Sequence, residues 1–276
     1  MSSNERSPFH PIKAVAIDLD GTLLSPDYSI SEGNRAALEE LHEAGVEIIL
    51  ASGRHYVSML PYARSLPQVR YMVSAQGAYA SDVDDTQTIH ETHMPTEDAA
   101  KAIDFGLEHG LSIVVYTASG IHTLSTGKWI DYYNDLAGLE STRSTKEEVL
   151  SQPVFKVSYF ESVERLDEIQ EHPFLKNSHL YTVRSLPNIF EQADPTTSKA
   201  SGLAPLMAKL GIKPEELATF GDANNDIPMF EYSGFSTAMD RANPNVKAAA
   251  TLSSPDGPPE TSFARAIEAM KAHFSS

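Results

Sequence analysis

Short, mostly apolar runs alternate with segments of helical spacing in the first third of the chain. Apolar runs occupy residues 14–17, 46–50 and 69–74. Between the first two, a segment with apolar residues at helical spacing begins after a capping residue, Ser31, and ends before Gly45. Strands that are apolar throughout, separated by helices, are typical of a parallel sheet covered on both faces. This part of the chain is therefore predicted to be α/β.

The pattern changes at about Ser81, where a polar, acidic hinge is predicted. Beyond it, helices alternate with neighbouring β-rich runs such as 112–117 and 154–160, and a polar linker is predicted near 141–151. After Asp194 the α/β alternation resumes. The sequence thus predicts a doubly wound, Rossmann-like parallel core interrupted by an inserted α+β domain. The predicted boundaries are 1–84 and 190–276 for the core and 85–189 for the insertion.

The amino-acid composition excludes several kinds of site and partner. The 276 residues include no cysteine, which excludes disulfides, thiolate nucleophiles and cysteine zinc sites. A net charge of -17 argues against nucleic acid as a partner, because such a surface repels phosphate backbones. The start MSSNERSPFHPI has no apolar signal segment, and no stretch has the length of a membrane span. A cytoplasmic protein with no membrane partner is predicted, and the oligomeric state stays open.

Polar side chains, most of them carboxylates, follow several predicted strands. Asp18 and Asp20 follow the first strand, Ser52 the second, and Asp222 the late strand LATF. Ligands of parallel α/β sheets bind at the carboxyl ends of strands, and side chains two apart on an extended segment point the same way. Asp18, Asp20 and Asp222 are therefore expected to converge, with Asp226 close behind. Such oxygen ligands suit Mg²⁺, which is the predicted cofactor.

Positive and hydrogen-donating groups are predicted beside these carboxylates. Lys199 follows Ser198, a suitable N-cap, so both its ammonium and the helix amino terminus favour an anion. Ser52 and the backbone N–H groups of Gly53 and Arg54 are candidates for binding the remaining oxygens of a phosphate group. The metal would allow an anionic substrate to enter a site rich in carboxylates.

These groups together form a candidate site for phosphoryl transfer. Asp18 is the candidate nucleophile, which would form an aspartyl-phosphate. Asp20 is the candidate general acid and base, which would protonate the leaving alcohol and later deprotonate the hydrolytic water. A neighbouring negative charge favours the protonated form of a carboxyl group, which gives a chemical reason for placing two aspartates so close together.

Four motifs in order along the chain resemble those of the haloacid dehalogenase (HAD) superfamily of phosphatases. They are DLDGT at 18–22, Ser52 in ASGR, Lys199, and GDANND at 221–226. The resemblance covers essentially the whole chain. The insertion between Ser52 and Lys199 is similar to the larger α/β cap, type IIB, of the Cof-type sugar-phosphatase branch. That branch has a mobile cap that closes over the core site and sets substrate preference.

The resemblance implies a role for each matching residue. Asp18 is similar to the nucleophile and a Mg²⁺ ligand of the family, and Asp20 to its acid/base, which also gives the metal a backbone carbonyl. Ser52 and Lys199 resemble the phosphate-binding residues. The remaining counterparts are Asp222 as the third protein ligand of Mg²⁺, and Asn225 and Asp226 as supporting polar residues at the metal and phosphate.

The chain also departs from the branch at two places near the expected substrate. Gln76, Gly77 and Ala78 stand where Asn-Gly-Ala is frequent, and Asp240 and Arg241 stand where Gly-Asn is frequent. Neither change touches the predicted catalytic set. Both argue against transferring a particular substrate, and the second changes the local charge.

Other polar and aromatic residues have simpler structural explanations. His90 and His93 suggest zinc, but they lie in a polar hinge without an evident third ligand. The acidic run 82–85 is expected to be a solvated surface. Three aromatic residues of the insertion are candidates for stacking on a substrate, although at least two are expected to belong to the domain core: Trp129, Tyr132 and Tyr133.

The predicted function is Mg²⁺-dependent hydrolysis of a small phosphomonoester, either a sugar phosphate or a phosphorylated cofactor. One alternative is a phosphotransferase or phosphomutase that passes the aspartyl-phosphate to a second alcohol. The other is a non-catalytic binding protein on the same fold. The acid/base at Asp20 argues against the second alternative, since binding alone has no need of it.

Overall fold

A computed structural model describes residues 7–275 of the protein, so the start of the amino-terminal segment used to predict location lies outside the described residues. The strands are β1 (Ala14–Ile17), β2 (Glu47–Ala51), β3 (Val69–Ser74), β4 (Tyr79–Asp82), β5 (Thr88–Glu91), β6 (Ser112–Thr117), β7 (Gly120–Thr123), β8 (Thr142–Arg143), β9 (Val154–Phe160), β10 (Tyr181–Leu186), β11 (Ile189–Ala193), β12 (Leu217–Gly221), β13 (Phe235–Ala238) and β14 (Leu252–Ser253). The helices are α1 (Glu32–Glu43), α2 (Tyr56–Arg64), α3 (Thr96–Glu108), α4 (Lys128–Ala137), α5 (Lys146–Leu150), α6 (Val163–Gln170), α7 (Pro173–Lys176), α8 (Lys199–Leu210), α9 (Ile227–Tyr232), α10 (Pro244–Ala249) and α11 (Ser262–Ser275). None of these helices has both the length and the apolar character needed to cross a membrane.

The chain divides into two compact units, called here the core unit and the inserted unit. Within the described chain, the core unit comprises residues 7–53, 60–90 and 198–275, and the inserted unit comprises 54–59 and 91–197. Both main divisions fall later than the predicted boundaries after residues 84 and 189. The reason at the second division is strand pairing, because β11 forms ladders with β9 and β10 of the inserted unit.

The core unit contains a sheet of strand order β14-β13-β12-β1-β2-β3-β4-β5, parallel from β14 to β3. All residues of β1 are buried, as expected for a strand covered on both faces. Leu203, Leu206 and Met207 of α8 pack against one face, and Phe263 of α11 meets Phe220 of β12, with ring centroids 5.2 Å apart. The predicted doubly wound α/β fold class is confirmed.

The inserted unit has a mostly antiparallel sheet of order β10-β11-β9-β6-β7-β8. Helix α3 packs on it through Ala99, Ala102 and Ile103. The predicted polar linker at 141–151 is wrong, because β8 and α5 form there. A capping box explains α5: Thr145 accepts from the Glu148 N–H, and Glu148 accepts from the Thr145 N–H.

The aromatic residues of α4 differ in burial. Tyr133 is buried against Phe160, with ring centroids 5.3 Å apart. Trp129 is partly buried and donates to Glu161 Oε1 at 2.9 Å, whereas Tyr132 is exposed. Of the three, Tyr133 is fully buried, Trp129 is half-buried, and Tyr132 lies on the solvated face of the helix.

A buried histidine in the inserted unit has one defined tautomer. His55 Nε2 lies 2.9 Å from the Thr117 carbonyl oxygen, to which it must donate, while His55 Nδ1 accepts from the Val57 N–H at 3.3 Å. Burial lowers the pKa of His55 to about 4, against the hydrogen bond to Thr117, which raises the pKa. Protonation of Nδ1 would set two N–H donors against each other.

This histidine should make the protein less stable in mild acid. Between about pH 6.5 and pH 4 the unfolded chain binds a proton at His55 that the folded chain does not, so the free energy of unfolding falls by roughly 3 kcal/mol over that interval. A His55→Gln variant, whose amide can still donate to Thr117, should lack this component. Denaturant unfolding followed by the fluorescence of Trp129, the single tryptophan, measures both proteins, and parallel pH profiles would contradict the assignment.

Candidate active site in the core unit

The predicted site residues lie at the carboxyl ends of neighbouring parallel strands. The ladders place Ile17 of β1 opposite Phe220 of β12 and Leu50 of β2. The Asp18 N–H continues the first ladder by donating to the Phe220 carbonyl at 3.0 Å. Because the three strands end in register, the residues that follow them share one edge of the sheet. Those residues include Asp18, Ser52 and Asp222.

Three carboxylates converge at this edge. Asp18, Asp222 and Asp226 each offer an oxygen, and these oxygens lie within 4.8 Å of one another. Gly21, at φ +83°, permits this packing, because a Cβ there would lie 2.3 Å from Asp222 Oδ2. Among residues 7–275 this is the only group of three or more acidic or histidine side chains that converges in this way. Neither His90 nor His93 belongs to such a group.

Lys199, at the start of α8, joins two of these carboxylates. Its Nζ lies 2.5 Å from Asp18 Oδ1 and 2.5 Å from Asp226 Oδ1, with no solvent exposure. The second oxygen of Asp226 accepts from the N–H groups of Asp222 and Ala223 at 2.9 and 3.0 Å. Both oxygens of Asp226 are thus occupied, so this residue holds Lys199 and the loop after β12 in place.

Burial and repulsion from neighbouring carboxylates disfavour ionisation of Asp18 and Asp222. Burial raises the pKa of Asp18 well above its ordinary value; Lys199 lowers it, and Asp226, Asp222 and Asp20 raise it. Burial, followed by repulsion from Asp226, raises the pKa of Asp222 to about 7. The cluster carries more negative charge than Lys199 balances. A divalent cation with oxygen ligands fits this set, and Asp18 and Asp222 are the side chains that would hold it.

Asp20 differs from these residues in being exposed at the sheet edge. Its charge is nevertheless close enough to raise the pKa of both Asp18 and Asp222. A carboxyl group that is beside the cluster and open to solvent can exchange protons with water. This environment suits a general acid/base better than it suits a metal-binding carboxylate. It is consistent with the family resemblance, in which the residue at this position gives the metal only its backbone carbonyl.

The predicted phosphate-binding residues are brought together by a short turn after β3. Ser52 is buried, and its carbonyl accepts from the Gln76 N–H at 3.2 Å. Asn225 Nδ2 donates to Gln76 Oε1 at 3.0 Å. Asn225 Oδ1 is buried and, in the described part of the chain, has no hydrogen-bond partner. Gly53 lies under the Gln76 carboxamide. Sequence reasoning noted Gln76 only as a departure, and no motif indicated these contacts.

The second departure forms part of the core packing. Asp240 Oδ1 lies 3.2 Å from the Arg265 guanidinium, and its other oxygen accepts from the Gly257 N–H at 3.2 Å. The Asp240 side chain is 7% exposed, so its charge is balanced within the core unit. Arg241 is exposed. The negative charge of Asp240 is therefore balanced by Arg265 of α11.

Comparison with known proteins identifies the family to which this chain is similar. A family model described as haloacid dehalogenase-like hydrolase matches residues 15–260. A 5-amino-6-(5-phospho-D-ribitylamino)uracil phosphatase of Bacillus subtilis, YcsE, is 27% identical over 87% of this chain and 88% of its own length. The pyridoxal phosphate phosphatase YbhA of Escherichia coli is 25% identical over 87% of this chain and 92% of its own.

The solved structures show the same relationship. The sugar phosphatase BT4131, of HAD subclass IIB, superposes with a TM-score of 0.80 at 25% identity, covering 95% of this chain and 99% of that one. The chain belongs to the haloacid dehalogenase-like hydrolase family. The predicted superfamily is confirmed, and so is the prediction that the protein is an enzyme.

Proposed function

We propose that the protein is a Mg²⁺-dependent phosphatase that hydrolyses small phosphomonoesters through an aspartyl-phosphate on Asp18. The observation that carries this proposal is the contact of Lys199 with both Asp18 and Asp226 beside Asp222. Asp18 is then a carboxylate nucleophile beside the buried cation of Lys199. Asp18 and Asp222 together form a pair of carboxylates suited to a metal. The inserted unit is the counterpart of the cap domain in subclass IIB.

In the first step an oxygen of Asp18 attacks phosphorus, and the bond from phosphorus to the substrate alcohol breaks. Asp20 gives the leaving oxygen its proton. Lys199 keeps the nucleophile oriented through Asp18 Oδ1, which leaves Oδ2 to attack. Lys199 has three N–H donors, of which two bind Asp18 and Asp226, so the third can donate to a phosphate oxygen.

In the second step water attacks the phosphorus of the aspartyl-phosphate and gives a proton to Asp20. The bond between phosphorus and the Asp18 oxygen breaks, which releases inorganic phosphate and restores the carboxylate. Mg²⁺, when bound, supplies positive charge that offsets both the acidic cluster and the phosphate group. Ser52, Gly53 and Asn225 are proposed to bind the remaining phosphate oxygens.

The names of the relatives support small phosphorylated metabolites as the substrate class. Those relatives act on a phosphorylated ribitylaminouracil and on pyridoxal phosphate, and BT4131 is a sugar phosphatase. We therefore propose a sugar phosphate or a phosphorylated cofactor as the substrate here. The substrates that these names indicate are all phosphate esters, and they differ in the group that carries the phosphate.

A panel of phosphate esters tests this function. Sugar phosphates, pyridoxal 5′-phosphate and p-nitrophenyl phosphate are incubated with the protein, and released phosphate is measured with Mg²⁺ and with EDTA. We expect hydrolysis of at least one ester with Mg²⁺, loss of activity in EDTA, and recovery when excess Mg²⁺ is added. Activity that persists fully in EDTA would overturn the metal requirement.

The same panel separates the two alternatives. If an added sugar alcohol becomes phosphorylated in place of phosphate release, the protein is a phosphotransferase. If no ester reacts while inorganic phosphate still binds, the protein is a binding protein on this fold. Either result would replace the proposed activity.

A further inference from the structure

The turn between β3 and β4 contacts the segments that carry Ser52 and Asn225. The Gln76 N–H donates to the Ser52 carbonyl at 3.2 Å. The Gln76 side chain accepts from Asn225 Nδ2 at 3.0 Å, across 149 residues of sequence. With only 4% of its surface exposed, Gln76 is enclosed by these neighbours. One residue thus touches two predicted phosphate-binding elements through separate hydrogen bonds.

The same turn also contacts the start of α8, which carries Lys199. A Cβ at Gly77 would lie 1.8 Å from the Ser198 carbonyl oxygen and 3.1 Å from the Lys199 nitrogen. The turn and the amino terminus of α8 are therefore packed backbone against backbone. Three separate segments of the proposed phosphate site meet at Gln76 and Gly77.

The backbone of the turn is held in an unfavourable conformation. Ala75 and Gln76 have φ values of 49° and 62°, in the left-handed region that costs a residue with a Cβ about 1 kcal/mol or more. Two consecutive residues of this kind persist only where their surroundings fix them. The conformation directs the Gln76 side chain back over the loop after β2.

The carboxamide of Gln76 lies between Gly53 and Asn225. It lies on Gly53, where a Cβ would come within 2.9 Å of Gln76 Nε2 and 3.0 Å of Gln76 Cδ. Its oxygen faces Asn225 and its nitrogen faces Gly53. The bond also fixes the Asn225 amide, because Nδ2 must point towards Gln76; its second N–H is left for another acceptor.

We propose that Gln76 is a positioning residue of the phosphate site. It holds the Gly53 loop and the Asn225 amide at a fixed separation, so that both can bind oxygens of one phosphate group. This inference rests on the proposed function, because it assigns Gln76 a role at the same site. Gln76 acts through Asn225 and does no chemistry itself.

Gln76→Leu tests the role, since leucine is similar in size and cannot accept from Asn225. For an ester that the protein hydrolyses, we expect KM to rise about tenfold, as for one lost hydrogen bond, and kcat to change less than about threefold. Binding of inorganic phosphate in the presence of Mg²⁺, measured by calorimetry, should weaken by a similar factor. Gln87→Leu, at an exposed position of the core unit, is the matched control and should change neither quantity.

A double-mutant cycle shows whether Gln76 acts through Asn225. Asn225→Ala should raise KM at least as much as Gln76→Leu, and the double variant should be no worse than Asn225→Ala alone. Losses that multiply would overturn the inference. The swap Gln76→Asn with Asn225→Gln keeps the combined side-chain length and should recover part of the affinity lost in Gln76→Asn alone.

Failure of the inference is distinguishable from failure of the proposed function. If the parent protein hydrolyses no ester but binds phosphate, and Gln76→Leu weakens that binding, the activity is wrong and the positioning role stands. If the protein is active and Gln76→Leu leaves KM and phosphate affinity unchanged, the positioning role is wrong. Thermal melts identify a variant that misfolds, in which case Gln76→Asn, which keeps a carboxamide at this position, tests the same bond.

Discussion

Asp18→Asn should lower turnover by about 10⁴-fold or more, because the amide cannot attack phosphorus while the rest of the site is kept. The substitution is nearly isosteric, and its oxygen can still accept from Lys199. It also removes one of the mutually repelling charges of the acidic cluster. The circular dichroism spectrum should therefore match that of the parent protein. Released phosphate, measured with the best ester of the panel, gives the loss.

Asp256→Asn is the matched control for this variant, because Asp256 is an exposed aspartate of the core unit. Its turnover should equal that of the parent. Full activity in Asp18→Asn would exclude an aspartyl-phosphate on this residue. An unfolded Asp18→Asn protein would instead show that the carboxylate is needed mainly to pair with Lys199.

Lys199→Met should both inactivate and strongly destabilise the protein. The substitution leaves Asp18 and Asp226, both buried, without the ammonium between them. Breaking a buried ion pair by removing one partner costs about 3 to 5 kcal/mol, since the remaining charges have neither water nor a counter-ion. Denaturant unfolding followed by circular dichroism measures the loss, and Mg²⁺ should be absent so that it cannot replace the lost charge.

A second substitution should recover part of that stability. In Lys199→Met with Asp226→Asn, the amide oxygen at 226 can still accept from the N–H groups of Asp222 and Ala223, and one unpaired charge is gone. The double variant should be more stable than Lys199→Met alone. Lys209→Met, at an exposed position on the same helix, is the control and should change little. Equal stability of Lys199→Met and Lys209→Met would contradict the buried ion pair.

Hydrophobic pattern alone was sufficient to predict the fold class. The apolar runs of β1, β2 and β3 have the length and composition of strands buried on both faces, and the intervening segments have helical spacing. The pattern failed where burial is slight. At 142–150 a short strand and a helix of five residues form in a polar stretch, because capping and edge pairing stabilise them with few apolar contacts.

The edge at which the site lies was also predictable, because every parallel strand presents its carboxyl end on the same side. Asp18, Ser52 and Asp222 follow strand ends that the sequence already shows. Distances between them were not predictable, since they depend on the order of strands in the sheet. The contact of Lys199 with Asp18 depends on where α8 lies, and Lys199 is separated from Asp18 by 181 residues.

Local pattern and motif spacing were enough to predict an α/β core with an insertion, aspartates, a serine and a lysine at strand and helix ends, and a chemistry that suits phosphate and Mg²⁺. Three contacts became visible only in the folded protein: Asp226 holds Lys199, Arg265 balances Asp240, and Gln76 lies between Gly53 and Asn225. The physical reason is that periodicity and local preference act within one element. Ion pairs and hydrogen bonds between distant segments form only after the packing of the sheet has fixed where each element ends.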